Sequence, residues 1–116
     1  MALDLTWVEN TGATVGATEL SLISGTTTLQ TSTVGGYFSL VIDPANMAQG
    51  DEYLVTLYEK AATGGTKRVV DTWPLKGNQG RLHIAPGFPI GIGWDWTIIK
   101  KAGTDRSFSW TIRRTS

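Results

Sequence analysis

His83 is the only histidine in the chain, and there is no cysteine. A zinc site would need further His or Cys ligands beside it, so the sequence offers no such centre. A lone histidine in a strand pattern reads as a structural side chain. Asp43, Asp51 and Glu52 lie close together in sequence. Their spacing is not that of a calcium loop, and the plain reading is a solvated turn. Glycoside hydrolysis would need two carboxylates facing each other across a cleft. Asp71 and Asp95 are the candidates by position. Asp95 lies between Trp94 and Trp96, however, and strand alternation turns it away from them, towards a polar outer face. No nucleophile elbow, phosphate loop or dinucleotide fingerprint is present, and Gly91-Ile92-Gly93 reads as a turn into a strand. The sequence therefore gives no catalytic residues, no metal ligands and no cofactor-binding motif; the expectation is that the protein is not an enzyme.

The elements that would carry these residues are strands. Trp94, Trp96 and Ile98 share one face at period two, as do Phe108, Trp110 and Ile112. The connection between them carries Gly103 and Asp105, which suit a turn, so the two read as a final hairpin at the centre of the core. Leu3, Leu5 and Trp7 alternate as a short first strand, followed by a turn or extended arm over 9–13; residues 1–20 as a whole read as an arm or first strand. Leu20-Ser21-Leu22-Ile23 gives a second strand. The threonine-rich stretch 26–33 suits a strand with one wet face. Tyr37-Phe38-Ser39-Leu40-Val41-Ile42 is a further strand, and Asp43-Pro44 opens one helical turn. Tyr53, Val55 and Leu57 face one side of the next strand. A hairpin loop over 60–66 leads to a strand that Pro74 stops. Residues 81–84 form a short strand, and Pro86-Gly87-Phe88-Pro89 a turn. Seven or eight short strands at this spacing predict a single all-β domain over 1–116, an antiparallel β-sandwich or jelly roll.

Composition narrows the function further. The chain has 116 residues, with ten basic and ten acidic side chains and a formal net charge of zero. A neutral total gives no electrostatic footprint for nucleic acid or an anionic membrane. No apolar run approaches the ~20 residues of a membrane span. The start of the sequence lacks the pattern of a signal peptide, which points to a soluble protein made in a cytoplasm. Trp7 and Trp73, near strand ends, either cap the core or form a sugar-binding surface. Arg113 and Arg114 suit an acidic partner surface or a solvated edge.

Several short motifs add a resemblance. Tyr58-Glu59-Lys60, Gly64-Gly65-Thr66-Lys67-Arg68, Gly93-Trp94-Asp95-Trp96-Thr97, Ala102-Gly103-Thr104-Asp105-Arg106-Ser107 and Trp110-Thr111-Ile112-Arg113 resemble small structural proteins of tailed bacteriophages. The likeness covers roughly residues 53–113. Its nearest functional analogy is to jelly-roll decoration (cement) proteins, which sit on the outside of capsids, often as trimers. The resemblance implies a virion structural protein at the capsid surface, made in the host cytoplasm. It would bind the major capsid protein as a homo-oligomer, with a trimer favoured, and need no cofactor. Leu3, Leu5, Trp7, Trp73, Arg113 and Arg114 are then the partner-binding candidates. The alternative is a carbohydrate-binding β-sandwich on a phage head or tail, with a glycan as partner.

Overall fold

The computed structural model describes residues 6–78 and 80–115. Eight strands run in chain order: β1 (Thr6–Val15), β2 (Leu20–Ser21), β3 (Gly36–Asp43), β4 (Glu52–Glu59), β5 (Arg68–Lys76), β6 (His83–Ile90), β7 (Trp94–Ala102) and β8 (Arg106–Thr115). They form two four-stranded antiparallel sheets, the first ordered β1-β8-β3-β6 and the second β2-β7-β4-β5. The chain crosses from one sheet to the other at every connection except the β4–β5 hairpin. This is the strand order of a jelly roll, and the all-β sandwich expected from the alternation is what the chain adopts.

The core lies between the sheets and is built from the inward positions of the period-two pattern. Phe38, Leu40 and Ile42 of β3 are fully buried, as are Tyr53, Val55 and Leu57 of β4. So are Trp94, Trp96 and Ile98 of β7 and Phe108, Trp110 and Ile112 of β8. Removing one indole of ~200 Å² from water contributes about 5 kcal/mol before entropy is subtracted, so these tryptophans dominate the packing energy. Two of them also meet their polar need. The Nε1–H groups of Trp94 and Trp110 donate to the carbonyls of Val34 at 3.0 Å and Leu22 at 2.9 Å.

Several local expectations are corrected. β7 and β8 do not form a hairpin: β7 pairs with β2 and β4, and β8 with β1 and β3. Their tryptophan faces meet across the core instead of lying side by side, which buries both faces at once. The arm over 9–13 is strand, paired with β8 and broken by a register shift between Asn10 and Ala13. β2 is only two residues long, and the threonine-rich stretch is not a strand. Its hydroxyls bond locally instead: Ser24 Oγ donates to the Thr28 carbonyl at 2.9 Å, and the Thr28 amide to Thr26 Oγ1. Only Ser32 reaches a ladder position, opposite Trp94. Asp43-Pro44 opens a turn without helix, with Ala45 N donating to Asp43 Oδ1 and Met47 N to the Pro44 carbonyl.

Prolines did not end strands where expected. Pro74 lies inside β5, and Pro86 and Pro89 inside β6. Both are edge strands, one of each sheet, where a missing N–H leaves no ladder bond unmade on the outer side.

Candidate functional site

The connections sort to two ends of the sandwich. Residues 22–35, 60–67 and 91–93 gather at one, here the hairpin end. Residues 16–19, 44–51, 77–82 and 103–105 gather at the other. Each titratable group singled out in the sequence finds a place in this frame.

At the end opposite the hairpin, Asp51 is buried and accepts three donors: Ala48 N at 2.9 Å, Thr104 N at 3.0 Å and Arg106 Nε at 2.7 Å. The two backbone amides and then Arg106 hold its carboxyl at about pKa 2. Asp43 is occupied by the Ala45 amide, and Glu52 faces Lys76 at 3.8 Å. The acidic stretch of the sequence is thus split among three separate contacts. Among the described residues no three His, Asp or Glu side chains converge as metal ligands.

Asp95 corrects the expectation of a polar, solvated face. It does point outward from the second sheet, yet it is fully buried, because the segment 22–31 folds back over that face. Ser21 Oγ donates to it at 2.7 Å, Gln30 N at 2.9 Å and Trp96 N at 2.8 Å. Burial raises its pKa, against the pull of those donors and of Lys67. Beside it, Glu19 accepts from Tyr58 Oη at 2.8 Å and Thr97 Oγ1 at 2.5 Å. Burial, then the Glu19 carboxylate, push the Tyr58 phenol up to about 12. Asp71 stands on exposed β5, bonded to the Thr72 amide. Glu19, Ser21 and Tyr58 were not anticipated. Their only signal was the polar alternation of β4 and β7, which does not say that a loop will cover that face.

His83 packs edge-on to Trp73 at 6.4 Å between ring centroids, and burial lowers its pKa. Its Nε2 and the Nε1 of Trp96 have no hydrogen-bond partner among the described residues.

The partner-binding candidates divide. Leu3 and Leu5 lie outside the described residues. Trp7 is half-buried, 5.0 Å from Phe38 and 5.4 Å from Trp94 between ring centroids. Trp73 is also half-buried, 5.7 Å from Trp96 and 5.8 Å from Phe88. Both indoles therefore pack against other aromatic rings while part of each stays accessible. Arg114 donates through Nε and Nη2 to the Gly35 carbonyl, with its guanidinium 6.0 Å from the centre of the Phe38 ring. Arg113 is exposed on the outer face of the first sheet, lining a shallow groove with Glu9, Ser109 and Thr111.

The surface with the clearest character is the hairpin end. Seven large apolar side chains are exposed among the described residues. Six of them, Leu29, Val34, Tyr37, Val69, Val70 and Ile92, lie in its connections or in the first residues of strands leaving it; only Leu82 lies at the other end. The Tyr37 ring rests where a Cβ on Gly87 would collide with it, so that glycine gives the ring its seat. Three adjoining depressions share Lys60 and run from Val69 and Val70 across Ile92 to Thr33. The sequence did carry signals for this surface. An isoleucine between two glycines in a turn has no strand face to bury it, and adjacent valines place one side chain on each face.

No family model matches the chain, and no curated protein does. Among solved structures it is similar to the crystal structure of the Yersinia pseudotuberculosis-derived mitogen, with 13% sequence identity and a TM-score of 0.48, over 94% of this chain and 89% of that one.

Proposed function

We propose that this protein is a non-enzymatic structural component of a virion, a decoration protein that docks on a phage capsid as a homo-oligomer. The hairpin end is its docking surface. One observation carries the reading: among the described residues, the exposed large apolar side chains are gathered at that end, with Leu82 alone at the other. Contiguous exposed apolar surface marks interaction sites in soluble proteins. The resemblance over residues 53–113 supplies the capsid as partner, and the jelly-roll order is compatible with it; fold alone assigns no function. The glycan alternative has less support, since Trp7 and Trp73 are half-buried and packed against other rings.

The test is co-sedimentation with capsid shells that lack this protein, together with analytical ultracentrifugation of the protein alone. Wild type should self-associate and sediment with the shells. Ile92→Glu should abolish sedimentation without lowering Tm, because Ile92 is 44% exposed. Leu82→Glu, at the opposite end, should leave it intact. A wild type that stays monomeric at high concentration and never sediments with shells overturns the reading.

A further inference from the structure

The formal charge of zero conceals a polarised molecule. The three ion pairs formed by the described residues, Glu52–Lys76, Asp105–Lys100 and Asp51–Arg106, all lie at the end opposite the hairpin. At the hairpin end no cation forms an ion pair among the described residues. Lys60 lays its stem over Gly93, where an added Cβ would press on its Cδ, and forms no ion pair among the described residues. Arg68, exposed beside Val69, forms none either. Lys67 donates to the Gln30 carbonyl at 2.6 Å with the Asp95 carboxyl near by, and Arg114 donates to the Gly35 carbonyl, so neither forms an ion pair among the described residues. The carboxylate of Glu59, which belongs to the same surface, is engaged by the amides of Gly91 and Ile92 at 3.0 and 3.1 Å.

Resting on the docking reading above, we infer that the hairpin end recognises a carboxylate-rich protein surface, apolar groups interspersed with Asp and Glu, which Ile92, Val69 and Val70 meet by apolar contact and Lys60 and Arg68, lining the same depressions, by charge. Protein–protein interfaces combine apolar anchors with polar and charged contacts in this way. Charges left unpaired at such a surface cost little in the free protein, where water solvates them. They gain a counter-charge on docking, which speeds encounter and rejects basic surfaces. A nucleic acid or a lipid headgroup would also answer to the cations. Either fits less well, because the patch exposes Ile92, Val69 and Val70 and the same surface carries Glu59.

The experiment uses full-length protein and capsid shells that lack it, titrated at low and high salt. Charge complementarity predicts that wild-type binding weakens as salt rises. Lys60→Glu with Arg68→Glu should weaken it roughly tenfold or more, and flatten the salt dependence. The milder Lys60→Gln with Arg68→Gln should weaken it a few-fold at unchanged Tm, which separates charge from folding. Duplex DNA and phosphatidylserine vesicles serve as competing probes. Shells bound equally well by wild type and both double variants, without salt dependence, would overturn the inference while the docking reading stands. Shells ignored by wild type would overturn both. Tight binding of DNA or vesicles through Lys60 and Arg68 would assign the site to phosphate and overturn the carboxylate partner.

Discussion

Arg106 Nε donates to Asp51 Oδ2 at 2.7 Å, joining the β3–β4 connection to the first residue of β8 across 55 positions of sequence. The same carboxylate collects the amides of Ala48 and Thr104, so it ties together two connections that no ladder links. Its pKa in the fold is about 2, below the 3.9 of an unfolded aspartate. A depressed carboxyl contributes stability that is present above about pH 4 and lost as pH falls through 2. Urea midpoints measured between pH 6 and pH 2 should therefore fall with acid in the wild type. Asp51→Asn should be less stable at pH 6 and should show a shallower fall. Parallel curves for the two proteins would remove Asp51 from the acid response.

Gly103 bears on the same knot. Its φ is +93°, and a Cβ there would collide with the Asp51 side chain and Cα. Gly64, in the β4–β5 hairpin, has φ +86° with nothing within 4 Å of a Cβ. The pair separates backbone strain from crowding. Gly64→Ala should cost about 1 kcal/mol, the left-handed penalty alone. Gly103→Ala should cost distinctly more, because Asp51 must also move. Equal shifts of the denaturant midpoint would show that Asp51 yields freely.

Asp95 behaves in the opposite sense to Asp51. Burial raises its pKa, so the folded state holds its proton more firmly than the unfolded chain. The resulting contribution is present below the unfolded value and is lost as pH rises through the folded one. The carboxyl is held in place by its donors from Ser21, Gln30 and Trp96. Asp95→Ala should leave those donors without an acceptor, at about 1–3 kcal/mol for a buried unmet group. Hydrogen exchange should then accelerate at the Gln30 amide, while Val55, in the middle of β4, exchanges as before. Unchanged protection at Gln30 would show that the segment 22–31 is held by other contacts.

Much of the sandwich was legible because period two is a local property. The buried faces of β3, β4, β7 and β8 could be read from single strands. Pairing was not legible, since alternation says which side chains face inward but not which sheet a strand joins. For that reason Trp96 and Trp110 read as neighbours in one hairpin, when they belong to opposite sheets. Edge prolines misled for a related reason: Pro74 and Pro89 break a ladder only when a strand has neighbours on both sides. The burial of Asp95 depends on a covering segment whose path no period encodes. Net charge fails in the same way, because a sum of zero is silent on where Lys60 and Arg68 stand relative to the three ion pairs.

Trp7 decides how far β1 belongs to the body of the sandwich. As a docking element it would offer its ring to a partner, and its removal would spare the fold. Its ring instead lies edge-on to Phe38 and tilted against Trp94, both fully buried. The half-buried indole covers the hairpin end of the core, and substituting it would expose those two rings. Trp7→Ala should therefore cost about 2–3 kcal/mol, somewhat less than the 3–5 kcal/mol typical of a large aromatic taken from a sealed core. Trp7→Phe should recover a good part of that loss, since it keeps an aromatic ring against Phe38 and Trp94. Denaturant midpoints of the two variants measure both effects. Capsid binding by Trp7→Ala should weaken only where its folded population falls. A variant as stable as wild type that no longer sediments with shells would instead place Trp7 in the docking surface.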